Sequence, residues 1–205
     1  MFSHLTDWAV FLLPVMLFSL SMSATPGPNN VMLTASGANF GFVRSLPHMF
    51  GITIGVMLLM AMVMLGLGVI FERFPFFQTL IKVAGSVYLV WLGWKIAISP
   101  PPQLENADGK RPFSFFQAAA FQFVNPKAWM MAISAIGLFT LTGDDFMLSS
   151  FMIILAMGVV NFPAIACWAG FGVAIGRLLK TPTHWTVFNR FMGGLTASCV
   201  VMILI

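Results

Sequence analysis

Thr25-Pro26-Gly27-Pro28-Asn29-Asn30 interrupts an apolar run that extends from Trp8 to Phe40, and Val124-Asn125-Pro126-Lys127-Ala128-Trp129 interrupts a second, from Phe113 to Leu141. Each run is longer than the roughly 20 apolar residues that take one straight helix across a bilayer. Proline removes a backbone donor and clashes with the turn before it, and Gly27 accepts whatever backbone angle a break requires, so a helix passing through either stretch opens. Backbone groups freed in lipid are costly unless protein or a water-filled cavity satisfies them. Both breaks are therefore expected to face the inside of a helix bundle.

Working outward from them, the composition is that of a membrane protein. Of 205 residues 59% are hydrophobic and only 8% charged, with a mean hydropathy of +0.94; soluble domains carry about 25% charged residues. Four further apolar segments, Pro47 to Ile70, Phe76 to Ile98, Phe146 to Gly172 and Trp185 to Ile205, bring the expected number of spans to six. The last is the shortest, because Arg190 leaves only about 15 uninterrupted apolar residues after it. The first run resembles a signal peptide in its small residues Ser21 to Ala24, but His4 and Asp7 ahead of it do not make the positive leader such a peptide needs, so it is read as a span.

One connector is long and loop-like. It runs from Ser99 through three prolines to Pro112 and carries Glu105, Asp108, Lys110 and Arg111. It divides a single transmembrane domain, residues 1–205, into repeat one at about 1–98 and repeat two at about 113–205, with the loop at 99–112. Three spans per repeat means that the second is inserted upside down relative to the first, and in inverted repeats paired interrupted helices mark a midplane substrate site. The fold expected is an all-α integral membrane protein with helices 1 and 4 broken. Arg44, Lys95, Lys110, Arg111, Arg177, Lys180 and Arg190 fall on one side and Arg73 and Lys82 on the other. The basic-rich side is cytoplasmic, so both termini are expected outside.

The breaks also define the candidate site: Pro26, Gly27, Pro28, Asn29, Asn30, Asn125, Pro126 and Lys127. The helix restarting after each break has free N–H groups and about half a positive charge at its start, a place suited to a carboxylate. Lys127 is the charged residue that lies well inside a span, and an intramembrane charge points to function. With no Asp or Glu inside any span to pair with it, the substrate is a candidate counter-ion; snorkelling or capping of carbonyls at the break are the alternatives. Helix capping is the structural alternative for Asn29, Asn30 and Asn125. Asn161, beside Pro163 in the fifth span, is expected either to line the same cavity or to bond between helices. For proton coupling the candidates are Lys127 and, second to it, His48.

Other features exclude rather than assign. The net charge of +4 is spread singly between apolar runs, which argues against nucleic acid. Cys167 and Cys199 have no metal-ligand spacing, and Met57, Met60 and Met64 read as adaptable packing, so no metal or other cofactor is expected. Gly51 with Gly55 and Gly172 with Gly176 are small-residue pairs for close helix packing. No catalytic or nucleotide-binding motif is present, so the chain is not expected to be an enzyme.

With Thr25 to Asn30, the Gly41-Phe-Val-Arg44 loop, Gly51 and Val124 to Lys127 in this order, the sequence resembles the LysE/RhtB amino-acid exporters over nearly its whole length. Val87 to Pro100 and Phe121 to Asn125 look most like the cysteine/O-acetylserine exporter branch. The resemblance implies a multi-pass protein of the bacterial inner membrane that exports an amino acid or a derivative, driven by the proton gradient. The residues add a constraint: a second substrate cation finds no buried carboxylate, so a neutral zwitterion fits better. Alternating access of the two repeats around the breaks is the mechanism expected, with a passive channel for a small solute or anion as the alternative reading. The partners expected are an amino-acid substrate and the lipid bilayer. Pairing into a homodimer, frequent among small transporters with surface glycines and aromatics, is left open.

Overall fold

The computed structural model describes residues 5–99 and 112–201. Glu105, Asp108, Lys110 and Arg111 of the connector and the last four residues of the sixth apolar segment lie outside them, as do the side chains of Asp7 and Glu72. Among the described residues the structure is helical throughout, without a strand. In chain order the helices are α1 (Leu5–Ala24), α2 (Pro28–Phe40), α3 (Phe42–Met62), α4 (Gly68–Arg73), α5 (Pro75–Ala97), α6 (Phe115–Gln122), α7 (Pro126–Phe139), α8 (Phe146–Leu178) and α9 (Pro182–Ser198).

Both expected breaks are present. The chain leaves α1 after Ala24, crosses Gly27 in extended conformation and bends by 61° into α2. Pro28 opens α2 and Pro126 opens α7, the one place in a helix where the missing N–H costs nothing. Asn125 caps α7 by accepting from the backbone N–H of Lys127 at 3.2 Å. Ser114 and Gln117 close a reciprocal capping box at the start of α6.

Elsewhere the helices outrun the apolar segments. Helix α3 starts at Phe42, five residues before Pro47, which lies inside the helix and costs it only the bond to the Val43 carbonyl near its start, while Gly41, at φ 82, ends α2 just ahead. It continues through a π-helical turn at Val63–Leu67, where Gly66 at φ 104 lets the helix bend before α4. Helix α8 runs six residues beyond Gly172 and passes Pro163 without ending. Its 33 residues make about 50 Å at 1.5 Å per residue, more than a bilayer core of about 30 Å requires. By length and composition α3 with α4, α5 and α8 are able to cross a membrane, and α1 with α2 as one bent span. Helix α9 has 17 residues, begins at Pro182 rather than Trp185, and carries Arg190 exposed at its middle.

Glycines set how closely the helices approach. A Cβ on Gly172 would lie 2.1 Å from the Thr34 carbonyl oxygen of α2, and one on Gly51 2.3 Å from that of Phe115, so α8 meets α2, and α3 meets α6, backbone to backbone. At the α5–α9 crossing Gly93 and Gly193 face each other: a Cβ on either would sit within 2.6 Å of the other's carbonyl oxygen. The outward face of α5, with Leu80, Val83, Val87, Trp91 and Trp94, is exposed, as expected of a lipid-facing surface, and Lys95 lies 4.3 Å over the Trp91 ring. The apolar core fills the space between α3, α7 and α8, with Val15 of α1, and between α2, α5 and α9. What remains between the two breaks is a cavity with a mixed polar and apolar lining.

Candidate substrate cavity at the two helix breaks

Both breaks open on one cavity with an empty volume of about 380 Å³, its open side included. Gly27, Pro28, Asn29 and Asn30 line it from the first break, Asn125 and Lys127 from the second, and Asn161 from α8. Met22, Val56, Met131 and Ile165 supply apolar wall. No carboxylate is among the lining residues, and among the described residues no cluster of His, Cys, Asp and Glu is arranged to hold a metal.

The side chains cross-link the breaks. Asn29 and Gln122 exchange two amide bonds, Asn29 Nδ2 donating to Gln122 Oε1 at 2.9 Å and Gln122 Nε2 to Asn29 Oδ1 at 3.1 Å. Gln122 also donates to the Ala118 carbonyl at 2.9 Å and accepts from Asn125 Nδ2 at 3.4 Å. Lys127 reaches from the start of α7 to the end of α1, where its Nζ donates to the Thr25 carbonyl at 2.8 Å and to that of Pro26 at 3.5 Å. A cation at the C-terminal end of a helix meets the negative end of its dipole. Gly27 makes room for the lysine stem: a Cβ there would fall 3.1 Å from Lys127 Cδ and 3.2 Å from Nζ.

A second polar chain runs beneath the first. Asn30 donates to the carbonyls of Ser23 at 2.8 Å and Thr25 at 2.9 Å, so its amide closes the end of α1 rather than capping α2. Asn161 donates to Ser23 Oγ at 2.9 Å and accepts from Thr53 Oγ1 at 3.0 Å, tying α8 to α1 and α3. Asn161 therefore both lines the cavity and bonds between helices. No side chain caps α2, whose preceding residue is Gly27.

Of the sequence-derived candidates, all the residues of the two breaks except Pro26 and Pro126, together with Asn161, line the cavity. Pro26 contributes only its carbonyl, and Pro126 shapes the start of α7. His48 stands apart: it is 1% exposed, packs on Phe113 at 5.2 Å between ring centres, and neither ring nitrogen has a hydrogen-bond partner among the described residues. It lies two turns, about 12 Å, along α3 from Val56, the nearest cavity-lining residue of that helix. Gln122, Ser23 and Thr53 were not singled out in the sequence. Gln122 had a visible signal, an amide in the otherwise apolar Phe121-Gln-Phe-Val124, whereas Ser23 and Thr53 are small hydroxyls of a kind common in any span.

The model of the family described as LysE type translocator matches residues 20–204. Curated relatives described as cysteine/O-acetylserine efflux proteins, from Escherichia coli (strain K12), Shigella sonnei (strain Ss046) and Shigella flexneri, are each 32% identical over 189 residues, covering 91% of this chain and 93% of theirs. No solved structure matches the chain.

Proposed function

The chain belongs to the LysE type translocator family, and from that premise we propose that it exports a small neutral amino acid or derivative, of the cysteine and O-acetylserine kind, across the bacterial inner membrane. It is a transporter and not an enzyme. The observation that carries the substrate class is the Lys127 ammonium at the junction of the two breaks, in a cavity that has amides and carbonyls but no carboxylate. A substrate carboxylate supplies the missing negative charge, and the amides of Asn29, Asn30, Asn125 and Asn161, which line the cavity, are its expected neighbours. Pro26, Gly27, Pro28 and Pro126 act through the backbone they shape. The substrate of the relatives fits this chemistry, being a zwitterion without a second fixed cation.

Export proceeds by alternating access, two inverted three-span units rocking around the breaks. Which helices touch supports the inversion. Helix α3 lies along α6 as α8 lies along α1; α2 lies along α8 as, less extensively, α7 lies along α3; α5 pairs with α9 and α3 with α8. Exchanging α1, α2, α3 and α5 for α6, α7, α8 and α9 maps each of these pairs onto another of them or onto itself. Lys127, the titratable residue lining the cavity, is the first candidate for proton coupling, with His48 second to it.

Reconstitution tests the whole reading. In liposomes loaded with unlabelled L-cysteine or O-acetyl-L-serine, the purified protein is expected to accelerate uptake of the same labelled amino acid, and an imposed pH gradient to drive net flux. Lysine is expected to be a poor substrate. Lys127→Ala is expected to abolish exchange while leaving insertion and elution as a single species intact. Uptake without acceleration by internal substrate would mean a passive channel, and wild-type exchange by Lys127→Ala would remove the lysine from the site.

A further inference from the structure

The place that the Lys127 ammonium occupies is itself built to hold a cation. Helix α1 ends at Ala24, and the carbonyls of Thr25 and Pro26 that follow look into the break, at the negative end of the α1 dipole. Thr25 O accepts two donors, Asn30 Nδ2 at 2.9 Å and Lys127 Nζ at 2.8 Å, and Pro26 O lies 3.5 Å from the same ammonium. Across the break α2 starts with Pro28 and has no side-chain cap, so its first free N–H groups form a positive edge. Gly27, between these edges, leaves the lysine stem just enough room to lie along the break. A negative edge, a positive edge and the Lys127 ammonium thus meet at the first break.

We propose that Lys127 stands in for the α-ammonium of the substrate: in the empty transporter it fills the carbonyl pair of Thr25 and Pro26, and an arriving amino acid takes that pair with its own ammonium while its carboxylate draws Lys127 off. This deepens the export reading above and rests on it. The exchange explains why both substrate charges are needed. A ligand with only an ammonium displaces Lys127 and leaves it without a partner. A ligand with only a carboxylate attracts Lys127 and leaves the carbonyl pair without a cation, Thr25 O keeping only its bond from Asn30, a loss comparable to an unmade hydrogen bond to a charged group. The zwitterion alone satisfies every group on both sides of the swap.

The test is direct binding by calorimetry to the detergent-purified full chain at pH 6 under reducing conditions, with three probes: L-cysteine, L-cysteinamide, which keeps only the ammonium, and N-acetyl-L-cysteine, which keeps only the carboxylate. Wild-type protein is expected to bind L-cysteine at least about tenfold more tightly than either analogue, the scale of one charged hydrogen bond. Lys127→Met vacates the carbonyls, so L-cysteine is expected to weaken about tenfold and L-cysteinamide to gain about as much. Lys127→Gln refills the carbonyls with a neutral amide and is expected to lose L-cysteine without gaining L-cysteinamide. Should Lys127→Met fail to elute as a single species, Lys127→Ala takes its place. No gain of L-cysteinamide in the vacated variant, or an equal gain in Lys127→Gln, overturns the stand-in role while leaving the export reading intact. Wild-type protein that binds none of the three probes overturns the export reading and the stand-in role with it.

Discussion

A single buried carboxamide, Gln122, joins the two halves of the cavity at the scale of individual atoms. It is fully buried, uses both its donor and its acceptor on Asn29, and steadies Asn125, the residue that caps α7. Gln122→Leu is expected to leave the Asn29 amide without its partners and to cost about 1–3 kcal/mol, the range for a polar group stranded out of water. Thermal unfolding in detergent measures the loss, and transport in liposomes is expected to fall with it. Asn29→Leu in the Gln122→Leu background is expected to add little, because the pair fails as a unit. Much of the site was legible at this scale. Proline, glycine and a lone lysine act through local backbone chemistry and through charge, both of which are visible in one dimension. The partner of Asn29 was not, since Gln122 lies 93 residues away and an amide does not announce which amide it meets.

At the scale of the helices, the breaks were readable because a helix cannot continue through Pro-Gly-Pro or Asn-Pro, while several helix ends were not. Hydropathy marks where lipid surrounds the chain, and α3 and α8 extend beyond that zone, so the apolar segments undershot Phe42 and Leu178. The small-residue pairs were legible as packing surfaces but not as to their partners. Gly51 and Gly55 lie against α6, and Gly172 and Gly176 against α2. A side chain at Gly172 has backbone in its way rather than a flexible tip, so Gly172→Leu is expected to separate α8 from α2 and cost several kcal/mol, seen as loss of monodisperse protein after purification. Gly194→Ala, with nothing within 4 Å of its Cβ, is the matched control and is expected to change stability by no more than about 0.5 kcal/mol.

For the whole molecule, the order of helices followed from hydropathy and the scarcity of charge, but how they group in space did not, because lipid is as apolar as a leucine core and periodicity does not say which neighbour a face meets. The orientation proposed from the basic residues places both termini outside: alkaline phosphatase fused after Ile205 is expected to be active, and a fluorescent protein at the same place dark. The crossing of Gly93 with Gly193 has a further consequence. Gly93 also meets Ala197, and Gly193 also meets Ala97, so residue and partner trade places at a constant offset of 100, the offset that separates Pro26 from Pro126. A contact in which i meets j and j meets i has the isologous pattern found at the axis of a two-fold homodimer, and so supports the proposed inverted repeats. Residues 1–98 and 113–205, made as separate chains in the same cell, are accordingly expected to find each other and co-purify, and Gly93→Leu in one fragment to prevent it. The connector would then be a tether that raises local concentration, and not a part of the machine.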